Sequence, residues 1–97
     1  MSAPQPVNEM TAVEFNRTVV GGERDMVTRT FKSPLGMLSR DDPYRWIQAL
    51  VYLDLHRRRE PDPQAKAAAM TNGELEDYFA ATVLDADGEV VDDSGEA

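Results

Sequence analysis

The residues with the clearest capacity for polar chemistry lie together near the end of one apolar segment. Asp54 is followed three and four positions later by Arg57 and Arg58, the spacing at which side chains meet on one face of a helix. An ionised carboxylate on an apolar face needs an ion pair and hydrogen bonds. Asp54 therefore either pairs with Arg58 at the rim of a core or makes a polar contact that fixes the register of a partner helix.

A basic cluster follows Asp54, because His56 precedes three consecutive arginines. Cations at the carboxyl end of a helix complement its dipole, and binding of an anion is the alternative role. The chain contains no cysteine and one histidine, so a zinc site built from nitrogen and sulfur ligands lacks its ligands. No nucleophile motif accompanies His56. We therefore predict no enzymatic activity, no metal site and no cofactor.

A predicted helix within residues 41–61 positions these groups. Asp42 can cap a first helical turn, Pro43 suits the following position, and Pro61 ends the segment because the residue before a proline avoids the α region. We expect a helix of about 17 residues. Apolar residues cover more than half of its circumference: Trp46, Ile47, Ala49, Leu50, Val51, Leu53 and Leu55. A helix this apolar must be covered on several sides, which in a small domain points to a partner or to self-association.

The segment before that helix predicts a β-hairpin. Valine, threonine and phenylalanine dominate on both sides of Gly21-Gly22, which is a hairpin signature. A three-residue loop at 21–23 places five apolar residues on one face: Val13, Phe15, Val19, Val27 and Phe31. A competing signal is the capping-box pattern from Thr11 to Glu14, which would begin a helix over residues 12–20 that Gly21 ends. Residues 32–40 are expected to form a loop.

After the central helix, the pattern predicts one or two shorter helices. Asp62 and Pro63 can begin an alanine-rich helix over residues 64–70. A capping-box pattern from Thr71 to Glu74 begins a second helix that runs to about Thr82. The expected fold class is therefore α+β, with an N-terminal β-hairpin, a long central helix and one or two shorter helices.

Charge and composition divide the chain into three parts. Residues 1–10 are polar and proline-rich, and we expect them to be disordered. Residues 85–97 carry six acids and no base, which predicts a disordered acidic tail that either solubilises the chain or meets a basic partner. Residues 11–84 would form a single small α+β domain.

The net charge of −8 argues against nucleic acid and anionic membrane surfaces as partners, because affinity for phosphates rests on Lys and Arg. No apolar run approaches the length of a membrane span, and the N-terminus does not have the pattern of a secretory signal. We therefore expect a cytoplasmic protein that binds neither nucleic acid nor membrane.

The second half of the chain resembles the small tail assembly chaperones of long-tailed bacteriophages. The resemblance rests on residues 46–58 (WIQALVYLDLHRR), Pro61 and residues 70–79 (MTNGELEDYF). The arginine-rich, lysine-poor composition agrees with a phage of a high-GC host. The resemblance implies a non-enzymatic protein that binds the apolar, helical tape-measure protein and helps the tail tube assemble, in the cytoplasm of a bacterial host. Many members of that family are mostly helical, and the predicted hairpin departs from that pattern.

Three function classes compete at this point. The chain is a helix-binding assembly chaperone, a structural virion component such as a head–tail joining or minor tail protein, or a small regulatory inhibitor or adaptor. The partner would have apolar helices, or would be a second copy of the chain. The residues that we predict to contact it all lie on the central helix: Trp46, Leu50, Leu53, Asp54, Arg57 and Arg58.

Overall fold

The structure is a computed structural model, and it describes residues 7, 9–80, 82–84 and 90–92. These residues form six helices and one pair of short strands. The elements are α1 Ala12–Asn16, α2 Gly21–Phe31, α3 Leu35–Asp41, α4 Pro43–Arg57, α5 Pro63–Ala68, α6 Asn72–Tyr78, β1 Thr82–Leu84 and β2 Val90–Asp92. The predicted disordered ends, 1–10 and 85–97, lie largely outside the described residues. Within those ends, Val7 bridges to Phe79, and β2 pairs antiparallel with β1.

Helix α4 is the centre of the fold. All its residues from Ala49 to Leu55 are buried, and each of the other five helices contacts it. Because a helix with an apolar surface on several sides must be covered on all of them, the short helices arrange themselves around α4. The apolar arc that suggested an external partner is therefore covered by the chain's own helices.

The α+β prediction with an N-terminal hairpin is wrong, since residues 12–31 form helices α1 and α2. The competing capping box is present: Glu14 N–H donates to Thr11 Oγ1 at 3.0 Å, and Thr11 N–H donates to Glu14 Oε1 at 2.8 Å. Gly21 begins α2 rather than ending α1. Val27 and Phe31, both buried, are four residues apart, a spacing that fits a strand and a helix equally well. The capping box, rather than the apolar spacing, distinguishes the two folds.

The predicted loop at residues 32–40 is also wrong, because most of it forms α3. Lys32 adopts a left-handed conformation with φ of 61° and ends α2. Pro34 is extended and precedes α3. Leu35 and Leu38, three positions apart on one face of α3, are both buried. This short amphipathic turn anchors α3 against α4.

The predictions for the second half agree more closely with the structure. Asp42 caps α4 by accepting a hydrogen bond from Arg45 N–H at 3.2 Å, with Pro43 at the first helical position. The capping box that begins α6 is present, with Glu74 N–H donating to Thr71 Oγ1 at 3.1 Å. Helix α6 ends at Tyr78, earlier than predicted, because Phe79 becomes extended. There, Val7 N–H donates to the Tyr78 carbonyl oxygen at 2.7 Å.

Candidate functional site

The structure confirms the ion pair that the spacing of Asp54 and Arg58 predicts. Arg58 Nε lies 2.9 Å from Asp54 Oδ2, and Asp54 is only 8% exposed. A third member comes from α6, where the Tyr78 hydroxyl donates to the same carboxylate oxygen at 2.5 Å. Burial and then the hydrogen bond to Asp54 raise the pKa of Tyr78 above its ordinary value. Tyr78 therefore remains a proton donor to Asp54, and the network joins α4 to α6.

Arg57 makes a separate set of contacts with α1 and α2. Its guanidinium forms a two-pronged ion pair with Glu23, at 2.7 Å from Nε to Oε2 and 2.8 Å from Nη2 to Oε1. It also donates to the Thr18 carbonyl oxygen at 3.2 Å and lies 4.5 Å from the centre of the Phe15 ring. The hydrogen bond from Arg57 lowers the pKa of the Glu23 carboxyl. Arg57 therefore holds the start of α2 against the end of α4.

We call these five residues the charged clamp: Glu23, Asp54, Arg57, Arg58 and Tyr78. Sequence reasoning identified the three on α4 but missed Glu23 and Tyr78. Tyr78 carried a signal, because a tyrosine on a predicted apolar face needs a partner for its hydroxyl. Glu23 lies in the loop of the predicted hairpin and gave no comparable signal.

The six residues predicted to contact a partner lie along α4, but they do not form a free apolar surface. Trp46, Leu50 and Leu53 are buried in the chain's own core. Asp54, Arg57 and Arg58 belong to the charged clamp. Their role in binding a partner stays a prediction. Trp46 differs from the others because it also lines an open cleft.

The cleft has a volume of about 670 Å³ and lies where α1, α2 and α3 meet the start of α4. Four apolar side chains line it: Val13, Val19, Leu35 and Trp46. Its other lining residues are Asn16, Arg24, Gly36, Ser39 and Arg40. Sequence reasoning missed this site, since the predicted hairpin and loop assign its residues to other structures. The helical alternative for residues 12–20 was the signal that could have revealed part of it.

Two exposed apolar residues are next in sequence to residues that line the cleft. Val20 is 61% exposed and Met37 is 41% exposed, and they are the exposed large apolar residues within the described part of the chain. Val20 follows the lining residue Val19 and precedes α2, while Met37 follows the lining residue Gly36 in α3. Neither side chain belongs to the cleft lining itself, although the Met37 sulfur atom lies 3.5 Å from Nη2 of the lining residue Arg40.

The polar side chains that line the cleft can donate and accept hydrogen bonds. The residues that line it include two arginines, an asparagine and a serine, and no carboxylate or imidazole. Among the described residues, no group of His, Cys, Asp and Glu is arranged to hold a metal ion. None of the helices in that part of the chain has the length and apolar character needed to cross a bilayer.

No protein-family model, curated protein or solved structure matches this chain. Among the described residues, the cleft combines an open volume with apolar and cationic side chains.

Proposed function

We propose that this chain is a non-enzymatic assembly protein whose cleft binds an apolar helical segment of a partner protein, as phage tail assembly chaperones bind the tape-measure protein. The observation that carries the proposal is the cleft of about 670 Å³, whose lining includes Val13, Val19, Leu35 and Trp46 and lies next in sequence to exposed Val20 and Met37. An amphipathic helix laid into an apolar groove is a recurrent mode of peptide recognition.

The surroundings of the cleft support a partner with apolar side chains. Val20 and Met37 remain in water in the free chain, and covering them on binding is favourable by about 25 cal/mol per Å² of apolar surface. Trp46 lines the cleft and is itself almost fully buried. Aromatic residues at the centre of an interface contribute disproportionately to binding. The cleft therefore offers one aromatic side chain beside the aliphatic side chains of Val13, Val19 and Leu35.

The helical architecture also favours the proposal. The predicted hairpin was the feature that departed from the tail assembly chaperones, and residues 12–31 are helical. The segments that carry the resemblance correspond to α4 and α6, whose apolar residues form the core. We infer that the resemblance concerns the helices that build the fold, and that partner contacts lie elsewhere, on the cleft.

Two glycines provide a matched test of the proposal. Gly36 lines the cleft and Gly22 does not, yet each is the second residue of its helix. A Cβ at either position would meet no atom within 4 Å, and replacing glycine in a helix favours folding. Gly36→Leu should therefore place a bulky side chain at the cleft lining and obstruct it, and Gly22→Leu should leave it open, without loss of stability in either variant.

The probe is a fluorescently labelled synthetic helix with leucines at every third and fourth position. Anisotropy titrations should show binding to the wild type and to Gly22→Leu, and binding at least about tenfold weaker to Gly36→Leu, which corresponds to about 1.4 kcal/mol. In an unlabelled titration, emission of Trp46, the chain's one tryptophan, should change. Absence of binding to the wild type, or equal affinities of the two variants, would contradict the proposal.

A further inference from the structure

We infer that the segment bound in the cleft carries carboxylates on both sides of its apolar stripe, one for Arg24 on the α2 wall and one for Arg40 on the α3 wall. The inference rests on the proposed function, because it specifies the chemistry of the partner at the same cleft.

The first observation is that the two cleft arginines have no acidic partner. Within residues 7, 9–80, 82–84 and 90–92, the structure shows no ion pair for Arg24 or Arg40. Arg45 and Arg57 differ in this respect, because Arg45 donates to the Phe31 carbonyl oxygen at 2.8 Å and Arg57 pairs with Glu23. Arg17, Arg29 and Arg59 likewise show no ion pair within those residues, so Arg24 and Arg40 are distinguished by their place in the cleft lining.

The second observation is that each arginine stands beside an exposed apolar side chain. Arg24 is one helical turn from Val20, whose carbonyl oxygen accepts its N–H at 3.0 Å. Arg40 is three residues from Met37, and its Nη2 lies 3.5 Å from the Met37 sulfur atom. Met37 and Arg40 are therefore in contact on α3, and Val20 and Arg24 lie one turn apart at the start of α2. A helix with an apolar stripe and acidic flanks complements a cleft that has apolar lining residues and one arginine on each of these two helices.

A carboxylate-bearing protein segment fits this site better than a nucleic acid does. The first 84 residues contain 12 acids and 10 bases, so the domain as a whole does not attract a polyanion. A guanidinium binds a carboxylate through two parallel hydrogen bonds, which fixes geometry as well as charge. Two such contacts would orient the bound segment across the cleft, and the apolar lining residues would supply the contact area.

The test uses three synthetic helices with the same leucine stripe and with glutamate, glutamine or lysine on its flanks. The full-length wild type should bind the glutamate helix at least about tenfold more tightly than the glutamine helix, and the lysine helix most weakly. The double variant Arg24→Glu/Arg40→Glu should reverse that order. Arg29→Glu, a charge reversal on α2 away from the cleft lining, should preserve it.

The outcomes separate this inference from the proposed function. Equal binding of all three helices would overturn the inference and leave apolar binding standing, whereas binding of none would overturn both. A synthetic peptide of residues 85–97 serves as a competitor. If it bound the cleft more tightly than the glutamate helix, the occupant would be the C-terminal segment of a second copy, which would overturn the inference. If the double reversal did not fold, the same order would be tested with Arg24→Gln/Arg40→Gln, which should lose the preference for glutamate.

Discussion

The arginines of the charged clamp are paired with carboxylates and those of the cleft are not, although both sites include residues of α4. In the clamp, Arg57 and Arg58 each meet a carboxylate within 2.9 Å. In the cleft, Arg24 and Arg40 have no such partner among the described residues. The contrast occurs even between neighbours on α2, since Glu23 joins the clamp and Arg24 lines the cleft. Paired charges fix the arrangement of the helices, and we propose that the open cleft binds a ligand.

Helix α4 makes both kinds of contact within the chain. Its apolar residues belong to the core and its charged end belongs to the clamp, while the predicted role of these residues in binding a partner stays a prediction. The clamp and the cleft should therefore respond differently to substitution. Changes to the core or the clamp should reduce the free energy of unfolding, and changes to the cleft should reduce binding.

The largest expected effect comes from Leu53→Asp. Leu53 is fully buried, and an unpaired carboxylate there would be removed from water without compensation. We expect loss of more than about 4 kcal/mol and an unfolded chain by circular dichroism. The partner-binding interpretation gives a different result, a folded monomer that fails to bind. Observing that monomer would show that Leu53 belongs to an interface rather than to the core.

Asp54→Ala should have the next largest effect. The substitution removes the acceptor of the buried Tyr78 hydroxyl and the partner of Arg58. We expect a loss of about 2–3 kcal/mol in urea unfolding, since Arg58 reaches solvent and part of the cost of a broken buried pair is relieved. Asp41→Ala, at an exposed position, is the control and should change stability by less than about 0.5 kcal/mol. Equal effects of the two variants would refute the structural role of the clamp.

A smaller, pH-dependent effect is expected from Glu23→Gln. Because Arg57 lowers the folded-state pKa of Glu23, its contribution is present above the unfolded value of about 4.3. It is lost as the pH falls through the lower folded value. We expect the variant to be about 1 kcal/mol less stable at neutral pH. The difference from wild type should shrink on acidification, as measured by urea unfolding across the acid range. A difference that did not vary with pH would show that the carboxylate charge contributes nothing.

The smallest effect on stability should come from the cleft. Arg24→Gln/Arg40→Gln should change the free energy of unfolding by less than about 0.5 kcal/mol, because the two side chains are exposed and make no ion pair with any residue that the structure describes, and substitutions of that kind have small effects. Urea unfolding beside the Asp54→Ala variant provides the measurement. A loss as large as that of Asp54→Ala would place the cleft arginines in the structural framework and remove the contrast.

The second half of the fold was largely predictable because its signals are local. Asp42, Pro43 and the capping box at Thr71 act within one helical turn, so their effect can be read from neighbouring residues. The first half was not predictable in this way. The spacing of Val27 and Phe31 fits the periods of both a strand and a helix, and the Gly21-Gly22 pair suits a turn as well as a helix start. The capping box at Thr11 was a local signal for a helix, but burial of Val27 and Phe31 in the core around α4 depends on residues far away in sequence.

Contacts of the candidate site between residues close in sequence were predictable, and contacts between distant residues were not. The Asp54–Arg58 pair spans four residues and was found, whereas the Glu23–Arg57 pair spans 34 and was missed. The cleft brings together side chains of four helices, two of which the sequence did not predict. Its existence depends on how those helices pack around Trp46, which no local pattern encodes.

The most direct test of the proposed binding surface is a map of backbone amide chemical shifts during titration with the leucine-rich glutamate helix. We expect changes in chemical shift to be concentrated on the cleft, at residues such as Val19, Gly36, Ser39 and Arg40. Amides around Asp54 and Tyr78 should change little. Shifts centred on the charged clamp, or no shifts at a saturating peptide concentration, would contradict the proposal.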